Sequence, residues 1–158
     1  MALDERLISR LRTFYDQGAC FLDEMELESW TDLFSKEGHY EVISRENYEQ
    51  GLPHATVYCS GLGMIQDRVA VIRKALFFEP RSQRHFVSAV RVNGVEPNGI
   101  RAQANFHLIE CLPDKAPATV MLGRYIDLLR DQNNRFLISK RQCVFDNARL
   151  PRGVFIPV

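Results

Sequence analysis

Apolar residues recur at spacings of three and four along the start of the chain. Leu3, Leu7, Leu11, Phe14, Gly18, Phe21 and Met25 fall on one side if residues 3–24 form a helix. Leu27, Trp30, Leu33 and Phe34 make a second stripe, predicting a short helix over Leu27–Phe34 that ends before Gly38. A helical hairpin therefore opens the domain. From His39 to Ser44 the pattern turns extended, and the next stretch, SRENYEQGLPHA, reads as a loop because its polar residues are mixed with Gly51 and Pro53. A third helix carries Ile65, Val69, Ile72 and Leu76 on one face, leaves Asp67, Arg68, Arg73 and Lys74 for its rim, and ends by Pro80.

Beyond Arg84 the pattern is that of strands: 84–92, 100–112, 118–129 and 135–146, separated by turn formers in VNGVEPNG, LPDKAP and RDQNN. Helices followed by antiparallel strands predict an α+β fold, with N-terminal helices packed on a curved antiparallel sheet in one domain spanning 1–158. In 100–112 one face is Ile100, Ala102, Ala104, Phe106 and Leu108, while the other mixes Arg101, Gln103, Asn105 and His107 with Ile109 and Cys111. In 135–146 neither alternating set, Leu137, Ser139, Arg141, Cys143, Phe145 or Phe136, Ile138, Lys140, Gln142, Val144, is cleanly polar. Alternation this blurred predicts a sheet covered on both faces, by helices on one and by another subunit on the other.

Composition removes several partners from this picture. The 158 residues are 25% charged, and 20 basic residues balance 20 acidic ones, so there is no excess positive field to draw nucleic acid or an anionic membrane surface. The start, MALDERLISRL, is charged where a secretory signal needs an apolar core, and no apolar run exceeds four residues; a soluble, cytoplasmic protein is expected. Cys20, Cys59, Cys111 and Cys143 are too dispersed for a disulfide framework or a metal knuckle and are expected to be reduced and mostly buried. Sixteen of the basic residues are Arg, which suits bridges within or between chains, although genomic base composition gives the same bias.

Local signals for catalysis are sparse. His39, His54, His85 and His107 are widely separated, and no cysteine has a histidine two or three residues after it, so no iron-site pattern stands in the chain. Ser60 in YCSGLG lacks the context of a nucleophile elbow, and GLG lacks the spacing and lysine of a phosphate loop. If helices close over a curved sheet, Tyr15, Asp32, Tyr58, His85, His107 or Tyr125 are the acids and bases available to an internal pocket, each with an ordinary structural role as the competing explanation. In EPRSQRH, Arg81, Arg84 and His85 crowd beside Glu79, pointing to a Glu79–Arg84 bridge or to a bridge between subunits.

The run MIQDRVAVIRKALFFEPRSQRHFVSAVRV joins a helix to a strand through an arginine-rich corner. Together with FYDQGACFLDEMELESWTDLFSKEGHYEV, RENYEQGLP and the ending CVFDNARLPRGVFIPV, it resembles the small (beta) subunits of aromatic-ring-hydroxylating, Rieske-type dioxygenases over nearly the whole chain. The branch it looks most like serves salicylate, anthranilate and terephthalate oxygenases. The resemblance implies a cone-shaped fold like ketosteroid isomerase and nuclear transport factor two. It also implies a hexamer of three large (alpha) and three small chains, with the small chains meeting as a trimer. The Rieske iron–sulfur cluster and mononuclear iron would sit in the large subunit, with NADH or NADPH feeding reductase components. This chain would then hold no catalytic, metal or cofactor residue. Arg68, Arg84, His85 and Arg91, with the apolar segment Val154, Phe155, Ile156, Pro157 and Val158, are the candidates for structural contacts within or between subunits. The competing readings are a free-standing cone-fold isomerase or dehydratase and a ligand-binding homo-oligomer.

Overall fold

Helix α1 (Ala2–Asp23) forms where the apolar stripe predicts it, and it turns Leu11, Phe14, Tyr15 and Leu22 inward. The computed structural model describes residues 2–74 and 80–158, so Leu76 and Glu79, assigned above to the third helix and to a local ion pair, lie outside the described residues. Helix α1 ends in a C-cap in which the Glu26 amide donates to the Phe21 carbonyl at 2.7 Å and Met25 takes the left-handed conformation, φ 58°.

Helix α2 (Leu27–Thr31) is shorter than its stripe suggests, because Phe34 already belongs to strand β1 (Phe34–Ser44). Sheet pairing decides the boundary: the Ile138 amide donates to the Leu33 carbonyl at 2.7 Å, and Phe34 pairs with Ile138. The expected 44–55 loop contains a short helix, α3 (Arg45–Glu49), started by the Ser44 hydroxyl accepting from the Asn47 amide at 3.2 Å. Strand β2 (Val57–Ser60) and helix α4 (Leu62–Lys74) follow, with Gly61 at φ 90° between them.

The four late strands are β3 (Ser82–Glu96), β4 (Gly99–Cys111), β5 (Ala118–Gln132) and β6 (Arg135–Phe145). Strand β3 runs through VNGVE, so the β3–β4 turn is confined to Pro97–Asn98; the β5–β6 turn uses Asn133 and Asn134, both at positive φ. The sheet order is β2-β1-β6-β5-β4-β3. Every pairing is antiparallel except β1 with β6, a departure from the all-antiparallel sheet expected.

The sheet wraps around one apolar core. Phe14 meets Phe136 edge-on at 5.6 Å, Trp30 lies edge-on to Tyr40 at 5.1 Å, and Ile65, Val69 and Ile72 of α4 close the remainder. On β4 the predicted face, Ile100 to Leu108, is buried throughout. On β6 neither alternating set is the inner one: Phe136 and Ile138 point inward, and then Arg141, Cys143 and Phe145 do. The phase slips where the β5 register shifts between Leu128 and Leu129. A second slip, between Leu108 and Ile109, leaves adjacent Val120 and Met121 both buried. Part of the blurred alternation therefore comes from bulges and not from a second covering layer.

Gly123 is required by close approach, since a Cβ there would overlap the Val144 carbonyl oxygen on β6. Gly123→Ala is expected to destabilise the domain by about 1–3 kcal/mol or more through forced strand separation. A urea unfolding midpoint equal to that of the parent would contradict the β5–β6 register.

Candidate functional site

The cone interior is charged. Arg141 on β6 and Asp127 on β5 are direct neighbours in the ladder, with side chains 4% and 0% exposed. The Arg141 guanidinium grips the carboxylate side-on, Nε to Oδ1 at 3.0 Å and Nη2 to Oδ2 at 2.6 Å. The Tyr15 hydroxyl on α1 donates to Asp127 Oδ2 at 2.8 Å. Tyr125 lies under the guanidinium, 4.5 Å from its ring centre, and is stacked between Tyr15 and Phe106. Burial and the Asp127 charge push the Tyr15 hydroxyl well above its ordinary pKa, and burial does the same to Tyr125 and Cys143. Burial alone would lower Arg141, but Asp127 outweighs it and holds the guanidinium charged. The cluster is a fixed ion pair walled by neutral phenols.

A second buried pair lies at the β3 end. His85 Nδ1 is 2.6 Å from Asp23 Oδ1, and the Asp23 carboxylate also accepts the His85 amide. Among the described residues His85 Nε2 has no hydrogen-bond partner, nor does Gln83 Oε1, while Gln83 Nε2 donates to the Leu22 carbonyl. On the strand beside it, Glu110 receives Arg81 at 3.0 Å and Arg152 at 2.9 Å.

The carboxy-terminal segment folds back on its own chain. Ile156, Pro157 and Val158 are buried; the Val158 amide donates to the Tyr40 hydroxyl at 3.0 Å, and the Cys143 thiol lies 3.6 Å from the Val158 carbonyl. Arg68 of α4 donates through Nη2 to the Val154 carbonyl at 2.5 Å, joining two of the candidate residues, while Phe155 is exposed. Arg84 and His85 point to opposite faces of β3. Arg84 is exposed, donates to the Gln83 carbonyl and sits 3.8 Å from Glu24; Arg91 is exposed farther along the strand. The Glu79–Arg84 bridge cannot be placed, Glu79 lying outside the described residues.

Of the possible acids and bases, Tyr15, Tyr125 and His85 meet the interior. Asp32 is exposed, Tyr58 stands against His39 on the outer face, and His107 bonds to Thr119 there. Clefts open elsewhere: one of about 720 Å³ between α3 and residues 145–150, and one of about 580 Å³ between α3, the 51–55 loop and the outer side of β1 and β6. Cys59 and Cys143 are buried free thiols, but Cys20 and Cys111 are exposed, against the expectation of mostly buried cysteines. Among the described residues no three His, Cys, Asp or Glu side chains converge to hold a metal ion, and no helix is long and apolar enough to cross a membrane.

Helices α1, α2 and α4 lie on the inner face of the sheet. On the outer face, α3 lies against β1 and β6, with Tyr48 under the Arg124 guanidinium at 5.8 Å. Over β3, β4 and β5 that face presents Phe86 (59% exposed) and Leu122 (47% exposed) beside the half-buried Ile109, Ile126 and Leu128. Sequence reasoning missed Asp127, Asp23 and Glu110. Asp127 had a signal, a lone carboxylate inside YIDLL on an otherwise apolar face, whereas Asp23, standing beside Glu24 at the end of the helical pattern, carried none.

The family model described as the ring hydroxylating beta subunit matches residues 17–152. The chain is 24% identical over 137 residues to the anthranilate 1,2-dioxygenase small subunit of Burkholderia cepacia, covering 87% of this chain and 85% of the relative. It is 22% identical to a beta subunit of the terephthalate 1,2-dioxygenase terminal oxygenase component of Comamonas sp, covering 80% and 82%. A solved chain from Novosphingobium aromaticivorans, provisionally described as the beta subunit of an aromatic-ring-hydroxylating dioxygenase, superposes with a TM-score of 0.88 at 29% identity, over 98% of each chain.

Asp127→Asn is expected to cost about 3–5 kcal/mol, because it strands a buried guanidinium, whereas the paired change Asp127→Leu with Arg141→Met recovers most of that loss. Denaturant titration of the three chains checks this. Burial alone would raise the Glu110 carboxyl, but Arg152 and Arg81 hold it below its ordinary 4.5. A carboxyl depressed in the folded state stabilises the fold above its unfolded pKa, and that contribution is lost as pH falls through the folded value. Glu110→Gln is therefore expected to flatten the acid limb of the stability–pH curve; an unchanged slope below the ordinary carboxylate range would contradict the bridge.

Proposed function

The chain belongs to the ring-hydroxylating beta-subunit family, and from that premise we propose that it is the non-catalytic small subunit of a terminal oxygenase, holding large subunits in assembly during breakdown of aromatic carboxylates. The carrying observation is the division of its surfaces. The central Arg141–Asp127 pair is partnered and tightly packed, while the outer face of β3–β5 leaves Phe86 and Leu122 open beside exposed arginines. An apolar centre with arginine at its margin is the composition of a protein interface, and obligate ones bury more than roughly 2,000 Å². Arg84 and Arg91, on the same strand as Phe86, border this face, whereas Arg68 holds the Val154 carbonyl and Ile156, Pro157 and Val158 are buried in their own chain.

Among the described residues no set of donors converges that suits a Rieske cluster or a mononuclear iron. Those groups are proposed to reside in the large subunit, with electrons from NADH or NADPH through reductase components. A hexamer of three large and three small chains in the cytoplasm is the matching assembly. The aromatic-carboxylate assignment rests on the anthranilate and terephthalate relatives.

One observation favours a second reading as a cone-fold isomerase or dehydratase: the Asp23–His85 pair with Nε2 unpartnered. Against it, Tyr15, Tyr125, Arg141 and Phe106 fill the adjacent interior. Co-expression with a Rieske-type large subunit is expected to yield one mixed complex on size-exclusion chromatography. Phe86→Glu with Leu122→Glu should abolish the complex while leaving the far-ultraviolet circular dichroism of the isolated chain intact. A large subunit that assembles and turns over equally well without this chain would refute the assignment.

A further inference from the structure

Within the cone, the segment 154–158 occupies a place that other groups could take. Its backbone satisfies three interior side chains: the Val154 carbonyl accepts from Arg68, the Val158 carbonyl lies at the Cys143 thiol, and the Val158 amide reaches the Tyr40 hydroxyl. Arg68 is incompletely satisfied even so, since its Nε is buried without a partner among the described residues. Its neighbours on α4, Ile65 and Val69, belong to the same core cluster as Tyr40, Cys59 and Cys143, together with Ile156 and Val158. The Arg68 charge acts on both the Tyr40 hydroxyl and the Cys59 thiol. Tyr40 in turn stands edge-on to Trp30 and Phe34, so the wall behind the segment is aromatic.

We propose that Val154–Val158 is a built-in plug, and that its withdrawal opens a site for a small aromatic carboxylate between Arg68, Cys143 and the Tyr40 ring. Withdrawal frees Arg68 Nη2 beside the already unpartnered Nε. Those two N–H groups are the side-on pair with which Arg141 grips Asp127 elsewhere in this fold, and they match the two oxygens of a carboxylate. The space left by Ile156, Pro157 and Val158 is apolar and takes the ring. The site is independent of the assembly role, because it belongs to the isolated chain and faces inward.

The test uses the full-length chain with benzoate as probe and the lone tryptophan, Trp30, as reporter. Ile156→Asp places a charge where the plug is buried and should expel it. The folded variant is expected to show saturable quenching of Trp30 by benzoate, with affinity about tenfold or more above the parent chain. Adding Arg68→Met should remove that gain for benzoate and leave binding of neutral benzyl alcohol unchanged. Equal benzoate affinity in the parent and the folded variant, or no effect of Arg68→Met, would overturn the proposal. If Ile156→Asp does not fold, hydrogen exchange on the parent chain decides. Saturating benzoate should accelerate exchange of the amides at 156 and 158 relative to those of β4, and an unchanged ratio would overturn it.

Discussion

Arg141 and Asp127 meet in the middle of the β5–β6 ladder with almost no exposure, and the surrounding structure is arranged so that both can remain charged there. Removing such ions from water costs several kcal/mol each, and that cost is offset only by good geometry and filled hydrogen-bonding capacity. The side-on grip supplies the geometry. Tyr15 fills a remaining position on the carboxylate, which ties α1 to the sheet at one point, and the Tyr125 ring covers the guanidinium. Misplacing α1 along its axis, or slipping β5 against β6, would leave a bare buried charge. The pair therefore selects one register and one helix placement from many of similar hydrophobic content.

Satisfaction of the interior explains what is left outside. The core takes α1, α2 and α4 on the inner side of the sheet while α3 lies outside against β1 and β6, so β3, β4 and β5 keep Phe86 and Leu122 open on the outer face. Phe86 and Leu122 flank His107 across the three strands, and under the proposed assembly role this is the surface offered to another chain. The long edge strand β3 carries a bulge at Ala89, φ 52°, and exposed Arg84 and Arg91, features that discourage edge-to-edge pairing.

Much of the architecture was legible because the apolar periods of α1, α4 and β4 are uninterrupted; the spacing selects the inward apolar residues of α4 and β4, and on α1 it selects Leu11 and Phe14 but not the equally buried Tyr15 and Leu22. Strand β6 was not legible by alternation. A bulge transfers the inner face from Ile138 to Arg141, and a bulge is set by pairing across the sheet, which local periodicity does not contain. The same holds for Phe34, placed in a helix by its spacing but captured into β1 by pairing with Ile138. Ser44 could have announced α3, since a serine before Arg45–Glu49 with its hydroxyl free to cap is a start signal, but Gly51 and Pro53 masked it. The interior pairs escaped because Asp127 and Arg141 are 14 residues apart and Asp23 and His85 are 62 apart, separations that only the folded topology closes.

If the interior charges are structural and the chain serves assembly, their chemistry can be erased without cost to the reaction of the complex. The direct measurement is turnover per iron of the assembled oxygenase carrying Asp127→Leu with Arg141→Met in this subunit, beside the complex carrying the parent chain. A structural interior predicts equal turnover and equal complex mass. Intact assembly with turnover reduced by an order of magnitude would contradict it and place this chain in the reaction itself.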